Sequence, residues 1–459
     1  LAVNNAAARA PVPRRNIPAS IADLFADAMA SLHLSLAPRI AVGVSGGADS
    51  LGLLFLLADW CAKNGGALKA YTVDHNLRPE ARAEAETVAA LCRAAGLSHD
   101  ILTWRFEAKP ESHVQERARA ARYELLQAAC RRDGFDYLAT AHHLEDQIET
   151  FWMRLTRGSG IDGLAGMQPR RRLEQVTLIR PLLSMPRAAL RDVCRALETG
   201  WAEDPGNRNE AFLRPRLRAF EEMLAAEGLT PQRMAQTLQK LAEARDLLQQ
   251  VTDDAVERCA VLHDMGYVLL DRARFAALAP ALAQRVLSRV LSAIAPGMYP
   301  PGHDLLQRLH AAMMREDFAG QTAFGCDVRR LEERYLFTRE LAAAAPPVPV
   351  VKERATCWDG RFDLSALPAA ATVPTESLTL GALGSAGVAA LRKQLTAAPL
   401  MRAVFEALPG WVRAGLPAVR TDEKLLSVPH LSWHAADAPP ALRSLSLRFR
   451  GALRAAKIV

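Results

Sequence analysis

Cysteine is scarce and scattered. The seven residues, Cys61, Cys92, Cys130, Cys194, Cys259, Cys326 and Cys357, are spread over 459 positions with no two close together. No C-x-x-C occurs, so there is no local signature of a zinc ribbon, an iron–sulfur site or a redox pair. Isolated cysteines of this kind read as small buried hydrophobes in a reducing compartment. Long apolar runs are missing as well, and nothing approaches the ~18 apolar residues of a membrane span. The N-terminal stretch carries Arg9, Arg14 and Arg15 without a continuous apolar segment, so no secretory signal is expected. These absences point to a cytoplasmic protein with no membrane partner. Internal repeats are also lacking.

What is present is an ordinary globular composition, 50% hydrophobic and 23% charged, in a chain too long for one core. The net charge of +7 suits a polyanionic partner, and equally a generic basic surface. Residues 1–20 lack periodicity and read as a loose tail. An amphipathic helix is expected over Ile21–Leu34. Strand patterns follow at Arg39–Val44, Leu68–Val73, Ser98–Trp104, Tyr137–Ala141 and Val176–Arg180, with helical stretches at Glu80–Ala95, Ser112–Arg132 and Glu145–Leu155. Such alternation predicts an α/β fold, a parallel, doubly wound, Rossmann-like sheet over 21–223 with ligands at the strand C-terminal ends. Residues 224–345 read as a mainly helical domain, from the patterns at Thr230–Val251 and Phe275–Ile294. The proline-rich Ala345–Val350 reads as an extended linker. A small C-terminal α/β domain is expected over 351–459.

The most informative string is Ser45-Gly46-Gly47-Ala48-Asp49-Ser50, between the apolar run Ile40–Val44 and the apolar helix pattern from Leu51. Strand, glycine turn and helix start together make an anion site. Glycine permits the tight turn, while free N–H groups and the helix dipole face the negative charge. Ser45 and Ser50 add hydroxyls, and Asp49 adds a carboxylate able to hold magnesium beside phosphates. The string lacks Gly-Lys-Ser/Thr, which excludes the P-loop, and it is not Gly-x-Gly-x-x-Gly. Asp74 and His75 after the second strand, and His142 and His143 after the fourth, fall at the same sheet edge. In the segment His142–Thr150, Asp146 and Glu149 lie three apart on one helix face. Paired carboxylates there can bind a cationic amine, or coordinate magnesium and take a proton. Near Trp201, the residues Arg208, Arg214, Arg216 and Arg218 form a cluster suited to RNA phosphates, with Trp201 and Phe212 able to stack or pack.

The first string resembles the SGGxDS loop of PP-loop ATP pyrophosphatases, which cleave ATP between the α- and β-phosphates. Five further blocks resemble, in order, those of bacterial tRNA(Ile)-lysidine synthetases: Thr72–Glu86, Glu116–Leu126, Ala141–Met167, Ile179–Leu183 and Trp201–Arg218. The resemblance is strong over about 38–220. It implies that ATP adenylates the C2 oxygen of the wobble cytidine of a tRNA(Ile) with anticodon CAU. The ε-amine of free L-lysine then displaces AMP to leave lysidine, which switches decoding from AUG to AUA. It further implies that Ser45–Ser50, with Asp74 and His75, hold ATP and magnesium. Arg122 lies near the substrate phosphate or base, Asp146 and Glu149 receive lysine, and Arg208, Arg214, Arg216 and Arg218 meet tRNA. A faint match at Ala407–Arg413 implies a C-terminal domain touching the acceptor stem. The pattern departs from the family at Asn209, where aspartate is usual, and at Pro215, where asparagine is usual; the proline bends the arginine segment. Three other readings compete: a tRNA sulfur-transfer enzyme, an inactive tRNA-binding paralogue and a small-molecule amidotransferase. The missing C-x-x-C, the intact loop with its acidic pair, and the lack of a recognisable glutamine-hydrolysing domain weigh against them in turn.

Overall fold

The computed structural model describes residues 17–77, 80–106, 114–173, 175–202, 223–297, 299–369, 371, 378–422 and 424–453. The chain divides into two compact units, the first ending at Asp246 and the second running from Leu247.

The first unit is built on a six-stranded sheet. In chain order its elements are α1 (Ala19–Ser31), β1 (Arg39–Gly43), α2 (Ala48–Asn64), β2 (Ala67–Asp74), α3 (Glu80–Ala94), β3 (His99–Thr103), α4 (Val114–Asp133) and β4 (Tyr137–Ala139). They continue with α5 (Leu144–Leu155), α6 (Ile161–Leu164), β5 (Arg170–Arg172), β6 (Thr177–Ile179) and α7 (Arg187–Ala196). The strand order is β3-β2-β1-β4-β6-β5, all parallel except the edge strand β5, which pairs antiparallel with β6. The expected strands and helices are present within a few residues; β5, three arginines long, has no apolar pattern to announce it. Central β1 buries Ile40, Ala41 and Val42, as a strand covered on both faces must. Helix α2 is apolar nearly all round and buries eleven residues from Ala48 to Cys61, so it lies inside the unit. From β1 the chain winds one way through β2 and β3, then crosses to β4 and β6. The order therefore reverses between β1 and β4, which is where open α/β sheets bind ligands.

In the second unit the expected helices are found, Pro231–Cys259 (which begins in the first unit) and Pro280–Ile294. Between and after them stands a five-stranded antiparallel sheet formed by Ala260–His263, Tyr267–Asp271, Arg334–Arg339, Cys326–Leu331 and Gly320–Ala323, in that spatial order. Val286, Leu287, Val290 and Leu291 of the helix share a core with Val268, Val328 and Phe337 of this sheet. The proline-rich linker is extended, as its composition predicts. Val348–Pro349 is the edge strand of a second five-stranded sheet, paired with Thr379–Leu380. An edge is the place where a strand proline costs no ladder hydrogen bond. Within Ala407–Arg413, Trp411 is half-exposed, with the Arg329 guanidinium over its ring at 5.3 Å.

Candidate active site

The turn after β1 is shaped by Gly46, whose φ of +85° is the left-handed conformation that glycine adopts freely. A side chain there would also stand 3.2 Å from Val88 Cγ2. Gly47 caps α2, so Ala48, Asp49 and Ser50 form its first turn. Ser50 stiffens the turn: its Oγ accepts the Ser45 N–H at 3.1 Å and donates to the Gly47 carbonyl at 3.0 Å. The result is a rigid cradle at a helix N-terminus.

A cleft of about 810 Å³ opens from this turn. Ser45, Gly47, Ala48, Asp49, Ser50, His75, Arg122 and Asp146 all line it, so the structure brings together candidates from four separate segments. Three candidates stand off the wall. Gly46 faces Val88. Asp74 is buried and its carboxylate accepts the Asn76 N–H at 2.8 Å. Glu149 is only 1% exposed, so it is buried inside the unit. Arg208, Arg214, Arg216 and Arg218, with Asn209, Phe212 and Pro215, lie outside the described residues. Trp201, just before them, lines the cleft.

The turn after β4 supplies the second half of the site. His143 caps α5, and its N–H donates to Asp146 Oδ2 at 3.0 Å. Its imidazole lies among three carboxylates: Nδ1 is 2.9 Å from Glu145 Oε2, and Nε2 is 3.5 Å from Asp49 Oδ2 and 3.6 Å from Asp146 Oδ2. Burial alone would lower its pKa, but hydrogen bonding to Asp49 and Glu145 and the charge of Asp146 raise it to about 9. His142 beside it behaves oppositely. Burial, aided by the charges of Arg180, Arg119 and Arg122 and opposed by Asp146, pushes it down to about 4. At neutral pH one histidine is a cation and its neighbour is neutral.

Several residues that local motifs do not flag complete the site. Arg187, in the first turn of α7, donates from Nε to Asp49 Oδ1 at 3.3 Å, and its N–H is accepted by Glu145 at 2.9 Å. Asp49 is thus held below its ordinary pKa: burial opposes this, but His143 and Arg187 together outweigh it. Arg191, Arg119, Glu84 and Tyr123 also line the cleft. Pro186 immediately before Arg187 is a helix-start signal, but nothing local places that helix beside Asp49. Gly166, just after α6, has a separate task. Gln147 on α5 exchanges two hydrogen bonds with the Met167 backbone, and a side chain at Gly166 would lie 2.6 Å from Gln147 Oε1.

A glycine cradle at the switch point, cationic walls and no lysine in the loop define an ATP-using domain of the PP-loop class. The PP-loop domain family matches residues 15–223. Among curated proteins, a tRNA(Ile)-lysidine synthase of Wolbachia pipientis wMel is 31% identical over 86% of this chain and 89% of its own length. One from Methylobacterium sp. is 43% identical over 60% of this chain and 78% of its own length. Another, from Ruegeria pomeroyi, is 37% identical over 71% and 76%. This chain belongs to the tRNA(Ile)-lysidine synthase family. It is a ligase that uses ATP to form lysidine on tRNA. No helix among the described residues is long and apolar enough to cross a membrane.

Proposed function

We propose that the cleft adenylates the wobble cytidine of a tRNA(Ile) bearing CAU, and then receives free L-lysine at Asp146. The carrying observation is that Asp146 opens into the same cavity as the phosphate cradle. In the first step the cytidine C2 oxygen attacks the α-phosphorus, and pyrophosphate leaves. In the second, the lysine ε-amine attacks C2 and AMP leaves. An ammonium with pKa ~10.4 is no nucleophile, so it must lose a proton before attack, and a carboxylate can both attract it and accept that proton. Asp146 holds that place, with Glu149 one turn further along α5. Arg122, buried enough that desolvation lowers its pKa, serves the phosphate or base side. Arg208, Arg214, Arg216 and Arg218 contact tRNA phosphates in this reading. Residues 224–345 add further tRNA contacts and 351–459 meet the acceptor stem. The reaction takes place in the cytoplasm.

Magnesium belongs to the proposal. Among the described residues no cluster of three or more His, Cys, Asp or Glu could hold a metal by itself. The donor set fits an ion held mainly by phosphate and water oxygens with one carboxylate, Asp49, and the Ser45 and Ser50 hydroxyls nearby. When bound it neutralises phosphate charge. His75, kept below its usual pKa first by burial and then by Arg122, presents a neutral ring to the same pocket.

The test uses the full chain, tRNA(Ile) with CAU, ATP–magnesium and labelled lysine. Label should enter this tRNA only with ATP, and tRNA(Met) with the same anticodon should stay unlabelled. No transfer to any tRNA would defeat the reading.

A further inference from the structure

The cradle lacks the lysine with which a P-loop grips β- and γ-phosphates, yet the reaction expels pyrophosphate and must meet the charge that leaves with it. Helix α7 carries three arginines at four-residue spacing, and the structure treats each differently. Arg187 is engaged by Asp49. Arg195 is exposed and paired with Asp192 at 2.8 Å. Arg191, between them, lines the cleft. Its Nε is shut off from solvent and has no hydrogen-bond partner among the described residues. A guanidinium nitrogen in that state is costly unless an anion completes it.

Its position follows from how α7 meets α2. Gly52 lets the two helices touch: a side chain there would stand 3.1 Å from Leu190 Cβ and 3.2 Å from its carbonyl oxygen. Leu190 is therefore pinned against the first turns of α2, and Arg191 follows it directly. The helix N-terminus that would face the phosphates and Arg191, with its unpartnered Nε, thus line the same cleft.

We propose that Arg191 binds the β- and γ-phosphates of ATP and remains with them as they depart, while Arg187 is a positioning residue that orients Asp49 beside them. This rests on the reading that Ser45–Ser50 cradle the ATP phosphates. As the bond from the cytidine oxygen to the α-phosphorus forms, the bond from that phosphorus to the bridging oxygen breaks. The electron pair stays on the bridging oxygen, pyrophosphate carries it away, and Arg191 meets the charge that develops there. Planar, bidentate recognition of phosphate oxygens is the task for which arginine is suited.

Steady-state inhibition of the full chain tests this. In Arg191→Gln the Ki for pyrophosphate and the KM for ATP should rise at least about tenfold, as loss of a charge-assisted phosphate contact implies. The Ki for AMP, which lacks those phosphates, and the KM for lysine should stay within about twofold. Arg191→Lys should recover part of the loss, and Arg195→Gln should match the wild type. An unchanged pyrophosphate Ki, or an equal weakening of AMP, overturns the assignment. Gly46→Val separates the two levels. If it leaves ATP binding intact, the cradle reading itself fails; if it abolishes ATP binding while Arg191→Gln behaves as wild type, only the role of Arg191 fails.

Discussion

The turns after β1 and β4 end at the same sheet edge and face one cleft, but they are made of different material. The first is backbone. A left-handed glycine, a helix N-terminus and two serines that bond within the turn fix its shape inside six residues. The second is side chains, and its character comes partly from its own Glu145 and Asp146 and partly from Asp49 and the arginines elsewhere in the chain. His142 and His143 are chemically identical neighbours, yet burial, helped by nearby arginines, holds one neutral and carboxylates around the other hold it charged. A phosphate site can be written locally; a charge state cannot.

That contrast can be broken most severely at Gly46. Valine there combines a disfavoured φ, costing about 1–3 kcal/mol, with a clash against Val88, and misplaces the cradle. ATP-dependent transfer should fall by at least about 100-fold with the overall fold retained by circular dichroism. Asp146→Asn comes next. Asparagine keeps an oxygen for the His143 N–H but removes the charge, so kcat/KM for lysine should fall about 10- to 100-fold while tRNA affinity holds.

The histidines give smaller, opposite effects on stability in magnesium-free buffer. His142 has its folded pKa below the unfolded value of 6.5, so its neutral form favours the fold. Its contribution is full above pH 6.5 and declines as pH falls toward about 4. His143 has its folded pKa raised, so its contribution is full below pH 6.5 and is lost as pH rises through about 9. Each limb should amount to about 1–3 kcal/mol in denaturant titrations. His142→Gln should flatten the acid limb alone, and His143→Gln the alkaline limb alone. If either substitution flattens both limbs, the two residues do not differ in charge.

Much of the first unit was legible because its parallel strands are continuous apolar runs and its helices are periodic. The cradle was legible because glycine, hydroxyl and carboxylate at fixed spacing have few alternative uses between a strand and a helix. The first antiparallel sheet of the second unit was not. Its strands are only four to six residues long, and Cys326–Leu331 hides an inward Cys326 and Val328 among outward Asp327 and Arg329. That alternation is real but too short to outweigh the flanking helical patterns. Arg187 and Glu145 were missed for a different reason. They matter through a contact across 42 residues, which neither local sequence predicts. The same holds for Glu149, whose spacing from Asp146 suggests a shared face but whose burial keeps it off the cleft wall.

The most direct test follows the two half-reactions separately. Wild type, Gly46→Val and Asp146→Asn are each incubated with ATP and tRNA(Ile) without lysine, and pyrophosphate release is measured; lysine is then added and AMP release followed. Asp146→Asn should release pyrophosphate at near wild-type levels and fail at the lysine step, whereas Gly46→Val should release none. If Asp146→Asn loses pyrophosphate release as completely as Gly46→Val, the two turns do not divide the chemistry and the account is wrong.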